Sequence, residues 1–111
     1  MNTTSVGREA ENIVAKELVR QNHEILAMNW RTRWCEIDIV SKKDKTVYFT
    51  EVKFRRSADW GSGIEYITSK KLKQMKFAAE FWLSENNWNK ESLLQAVEVD
   101  DKGKMNFVEV I

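Results

Sequence analysis

"WCEIDIVSKKDKTVYFTEVKFRRS", residues Trp34–Ser57, carries two apolar runs joined by a polar turn at "KKDK". Read as a β-hairpin, the runs are strands over residues 35–41 and 46–53. Side chains alternate faces along a strand, so Glu36 and Asp38 share one face and Ile37 and Ile39 the other. On the second strand Phe49, Glu51 and Lys53 share a face, with Tyr48 and Val52 behind them. If residues 42 and 47 flank the turn, Asp38 lies opposite Glu51. Directly opposed residues place their Cβ atoms ~5 Å apart.

Two carboxylates that close repel. At ~4 Å and an effective dielectric of ~20, the repulsion is of order 4 kcal/mol. It is relieved if one group is protonated, if both face water, or if a cation sits between them. A hard divalent ion such as Mg²⁺ or Mn²⁺ fits, because Mg²⁺ takes one or two carboxylates plus waters and a phosphate oxygen. Lys53 puts an ammonium on the same side, where it can orient a water or stabilise charge on a phosphoryl group. The alternative is a one-sided hairpin with charges facing water, held by cross-strand pairs worth a few tenths of a kcal/mol. Glu11 falls at the border of a helical apolar stripe with Val14 and Leu18, within reach of Asp38. Its other reading is an acid serving the helix dipole.

Residues 4–21 read as a helix with Val6, Ala10, Ile13, Val14 and Leu18 on one stripe. Asn22 suits a left-handed helix end, and His23 beside it reads as a surface or capping residue. Residues 24–30 read as a strand. Residues 54–67, "FRRSADWGSGIEYI", show no periodicity and read as a long loop. Thr68 or Ser69 caps a second helix to about Glu85, with Leu72, Met75, Ala79, Trp82 and Leu83 on its stripe. Residues 93–99 and 105–110 form a last hairpin around Gly103. The order is α-β-β-β-α-β-β, and residues 1–111 read as a single domain.

Of 111 residues, 42% are hydrophobic and 32% charged, a globular composition. No run approaches the ~18 apolar residues that cross a bilayer, and the first thirty residues lack a signal-peptide core. Cys35 is the only cysteine, and His23 the only histidine, too few for a structural zinc site. A cytoplasmic location is expected, with no membrane partner. Net charge is +1, yet residues 31–76 carry twelve Lys/Arg against six Asp/Glu. That imbalance points to an anionic partner at one surface, or to solvated strand edges and a solvated helix face.

"GREAENIVAKEL", "EILAMNWRTRWCEIDIV", "VYFTEVKFRRSADWG" and "SKKLKQMKFAAEFWL" resemble successive blocks of the YraN-like family of small bacterial proteins in the PD-(D/E)XK nuclease superfamily. The resemblance covers roughly residues 7–85, and its most specific part is "EIDIV…TEVKFR". It implies an α/β fold, a mixed central β-sheet flanked by helices with a restriction-endonuclease-like core. It also implies a metal-dependent nuclease. By position Asp38 and Glu51 resemble the family's metal-binding acids and Lys53 its catalytic lysine. Glu11 resembles its first-helix glutamate, and Glu36 the acid before the motif aspartate. The family commonly has Gly where this chain has Cys35, which reads here as a small buried residue rather than a nucleophile.

Arg55, Arg56, Lys70, Lys71 and Lys73 follow the acids in sequence and suit phosphate contacts, which position DNA without reading its sequence. Trp60 among them can stack on a base or pack on its own domain. Phe77 and Phe81 lie off the second helix's stripe, under the sheet or at a dimer contact. The expected function is a Mg²⁺- or Mn²⁺-dependent endonuclease acting on DNA, branched or single-stranded more readily than sequence-specific. Two coordinated cuts would require a homodimer. The rival is a non-catalytic module of the same fold that binds nucleic acid or a protein.

Overall fold

The structure, a computed structural model, describes residues 3–56 and 67–110, and side chains from residue 6 onward. Helix α1 (Thr3–Arg20) is followed by β1 (Glu24–Arg31), β2 (Glu36–Lys43) and β3 (Thr46–Phe54). Helix α2 (Ser69–Glu85), β4 (Glu91–Val99) and β5 (Met105–Glu109) complete the chain. The expected order of elements is present, with bounds shifted by a residue or two. Trp60 lies outside the described residues.

The five strands form one sheet in the order β1-β2-β3-β4-β5. Neighbours are antiparallel except β3 and β4, which run parallel. A parallel pair needs a long crossover, and α2 lies within it. Strand β4 is buried from Leu94 to Val99, as expected of a parallel strand covered on both faces. The result is the mixed sheet flanked by helices of a restriction-endonuclease-like fold.

The helices cover opposite faces. On α1, Ala10, Val14 and Leu18 pack with Ile39, Val97 and Val99. On α2, Met75, Ala78, Ala79 and Trp82 pack with Val40, Val47, Phe49 and Leu94. Thr68 caps α2 by accepting a hydrogen bond from Lys71 N at 3.1 Å. Asn22 ends the α1 segment in the left-handed region at φ 74°. Gly103 turns the last hairpin at φ 83°, where a Cβ would be strained.

Two expectations are corrected. Ile37 and Ile39 do not share a face: Ile37 joins the cluster under α2 and Ile39 the cluster under α1. Regular alternation fails across Asp38, where β2 leaves the β3 ladder, and Asn29 on neighbouring β1 has φ 50°. His23 is not a surface residue. It is 8% exposed, its Nδ1 lies 2.9 Å from Ser41 Oγ, and its ring meets Tyr48 edge-on. The turn after α1 brings its backbone N–H to Leu18 O and carries the imidazole inward.

Candidate active site

The β2–β3 hairpin sets the geometry. Lys42 pairs with Val47 and Lys43 with Thr46, so the loop is the two residues Asp44 and Lys45. Asp44 takes φ 56°, which a short polar side chain tolerates. This is the expected register, and it holds as far as Ile39 opposite Thr50. One step further, where Asp38 meets Glu51, the backbone ladder stops. The Asp38 carboxylate replaces it, accepting the Val52 N–H at 2.8 Å. The strands part, and the carboxylates sit in the fork.

Asp38 is badly placed for a charge. Its carboxyl is pushed up to about 7, first by burial and then by Glu51. The Val52 N–H and the Lys71 ammonium pull it down, while Glu11 adds to the rise. Glu51 faces two cations, Lys71 Nζ at 3.3 Å and Lys53 Nζ at 3.5 Å. Lys71 comes from the first turn of α2, set by the Thr68 cap. Glu11 comes from α1, and its Oε1 is buried with no hydrogen-bond partner. Both helices and both strands of the fork thus deliver a charged group to one place.

The other expected residues are spread around it. Glu36 is exposed and pairs with Arg31 at 3.5 Å rather than joining Asp38 and Glu51. Arg55 Nε lies 3.8 Å from Glu98 Oε2, and Arg56, Lys70 and Lys73 are exposed. Cys35 is half-buried against the α2 cluster. Phe81 packs against Trp30 and Trp34, and Phe77 is half exposed.

Sequence reasoning missed Glu98, a carboxylate only 3% exposed that lies beside Lys53 in the parallel register of β3 and β4. Its one signal is a lone acid inside the apolar run "LLQAVEV".

The residues fit a hard divalent cation in part. Asp38, Glu51 and the orphaned Glu11 oxygen supply the hard oxygen donors that such ions take. Among the described residues, no three His, Cys, Asp or Glu side chains already stand as a metal shell. An ion here would hold water or phosphate oxygens besides Asp38 and Glu51.

The family model described as "Uncharacterised protein family UPF0102" matches residues 10–110. The chain belongs to this family. A UPF0102 protein of Caldicellulosiruptor bescii is 37% identical over 99% of this chain and 94% of its own length. One from Syntrophomonas wolfei is 35% identical over 93% of each chain. One from Parafrankia is 42% identical over 73% of this chain and 69% of its own. The UPF0102 match spans more than half of α1, all five strands and α2, so Glu11, Asp38, Glu51, Lys53 and Lys71 all fall inside it. Among the described residues, no helix is long and apolar enough to cross a membrane.

Proposed function

We propose that this UPF0102 chain hydrolyses phosphodiester bonds in DNA with a divalent cation, Mg²⁺ or Mn²⁺, held by Asp38 and Glu51. The observation that carries the reading is the fork itself, which buries Asp38 beside Glu51 and aims Lys53 and Lys71 at the same carboxylate. A structural ion pair needs one cation per carboxylate and no second acid. Here the like charges are held together by the fold, an arrangement typical of functional sites.

When bound, the cation polarises a phosphate oxygen and acidifies a water. The chain's own residues do the rest. Asp38 is fixed by the Val52 N–H, which leaves its other oxygen for the cation. Glu51 faces Asp38 and keeps Lys53 Nζ within 3.5 Å. Lys53 can donate a hydrogen bond to the attacking water or to a non-bridging oxygen, stabilising charge as it develops. Lys71 serves the phosphate as a point charge.

Single-turnover cleavage of single-stranded, duplex, flapped and branched DNA with Mg²⁺ and Mn²⁺ tests this. Lys53→Met keeps the unbranched stem and removes the charge. It is expected to bind the metal and to cut at least about a hundredfold more slowly, ~2.7 kcal/mol in the barrier. Equal rates would reduce Lys53 to a strand-surface charge. No cutting of any substrate with either metal would favour a non-catalytic module.

A further inference from the structure

One feature outside the carboxylate fork is unaccounted for by packing. Trp34 is 65% exposed and Phe77 50% exposed, the two most exposed large aromatic side chains among the described residues. Neither is loose. Residues 32–35 close a tight turn, in which Thr32 N donates to Cys35 O at 2.8 Å and the Thr32 hydroxyl accepts from Trp34 N and Cys35 N. Phe77 projects from α2 one turn before Phe81. Phe81 supports both rings, at centroid distances of 5.9 Å from Trp34 and 6.2 Å from Phe77. The exposed rings are therefore mounted, at the rim of an open cleft of about 580 Å³ between the β1–β2 turn and α2.

The same cleft reaches the fork, because Glu51 and Lys71 line it too. Arg31 and Lys73 flank it, and Arg33 lies over the Trp34 ring at 5.3 Å. Arg31 is tied to exposed Glu36 by a surface pair that gives way at little cost. Cations beside mounted aromatic rings form the surface that single strands favour, with phosphates on the charges and bases on the rings. A duplex keeps its base faces stacked and offers the rings nothing. The volume suits a small number of nucleotides.

We propose that this cleft holds an unpaired stretch of a DNA strand leading to the carboxylate fork. Its bases stack on Trp34 and Phe77, and its phosphates lie on Arg31, Lys71 and Lys73. The proposal rests on the fork being the hydrolytic site, and it names the substrate class of that site: DNA with a single-stranded region next to the bond cut.

The test is fluorescence anisotropy of a labelled oligothymidylate and of a matched duplex, with EDTA present so that no cleavage intervenes. The wild type is expected to prefer the single strand. Trp34→Ala and Phe77→Ala should each weaken that binding by about fivefold to a hundredfold. Neither should change its salt dependence, because neither ring neutralises a phosphate. Lys73→Ala should lower the salt slope by about 0.7, and Trp34→Phe should restore stacking. Should Trp34→Ala fail to fold, Phe77→Ala and Trp34→Phe decide the matter. Unchanged affinity in folded ring variants, or a preference for duplex, overturns the proposal. So does a change of sedimentation without a change of affinity, which would make the rings a contact between copies of this chain. Metal-dependent cutting that survives such a result leaves the hydrolytic reading standing. Ring-dependent binding without any cutting removes the hydrolytic reading and keeps the cleft.

Discussion

The two ends of β2 solve the same problem in opposite ways. Near Ser41, buried polar groups are matched: His23 Nδ1 meets Ser41 Oγ at 2.9 Å. Ser41 is wholly buried, and the imidazole is its partner. Earlier on the same strand, Asp38 is buried beside Glu51, and Glu11 Oε1 has no hydrogen-bond partner. The first end behaves as a core does, because an unmet polar group there costs about 1–3 kcal/mol. At the second end that cost stands at Glu11 Oε1, while the Asp38 charge is opposed by burial and by Glu51. Local frustration inside an otherwise consistent fold is expected where a site must receive something from outside. On the proposed function, the difference separates the polar residues that hold this sheet together from those that would receive a cation.

The largest effect expected from this contrast is on pH dependence at the fork. The Asp38 carboxyl rises from 3.8 to about 7 on folding, so the folded state holds the proton more tightly than the unfolded state. Its contribution is fully present below about pH 4 and is lost as pH rises towards 7. The loss is on the order of a few kcal/mol. Asp38→Asn keeps an acceptor for the Val52 N–H and removes the charge. It should make the cation-free protein more stable than the wild type at pH 8 and scarcely different at pH 4. Urea titrations at the two pH values measure this, and a variant destabilised at pH 8 would mean that Asp38 is already satisfied.

A smaller effect of opposite sign is expected at the matched end. Ser41→Ala leaves His23 Nδ1 without its partner and should cost about 1–3 kcal/mol at pH 8. His23 also titrates the other way. Burial, aided by Lys43, holds its pKa below 6.5, so stability falls as pH drops through that value. A Ser41→Ala protein as stable as the wild type would show that the pair contributes nothing and would dissolve the contrast.

Much of this is legible in the sequence. The Asp38–Glu51 register follows from a polar turn of fixed length, since a hairpin's loop sets its pairing. Both helices and all five strands follow from periodicity and caps. What escapes a sequence reading is what depends on distant segments. Glu98 comes beside Lys53 only through the parallel join of β3 and β4, 45 residues apart in sequence. Lys71 reads as one more basic residue until α2 docks and sets it on Glu51. His23 turns inward because β2 supplies a hydroxyl to meet it. Ile37 and Ile39 part company because β2 breaks its alternation at the fork, and a sequence read with period two has no means of marking that break. The exposure of Trp34 is set by the turn from Thr32 to Cys35, whose hydrogen bonds no sequence periodicity marks.

A cation site at Asp38 and Glu51 differs from a merely strained pair of acids in its response to a divalent ion. The most direct measurement is the thermal shift caused by Mn²⁺ at pH 8, in the wild type and in Asp38→Asn. A ligand that binds only the folded state stabilises by about 2.7 kcal/mol at a hundred times its Kd. For a cation site, Mn²⁺ is expected to raise the melting temperature of the wild type in a concentration-dependent way and to leave Asp38→Asn unmoved. Equal shifts in the two proteins, or none in the wild type at millimolar Mn²⁺, would contradict it.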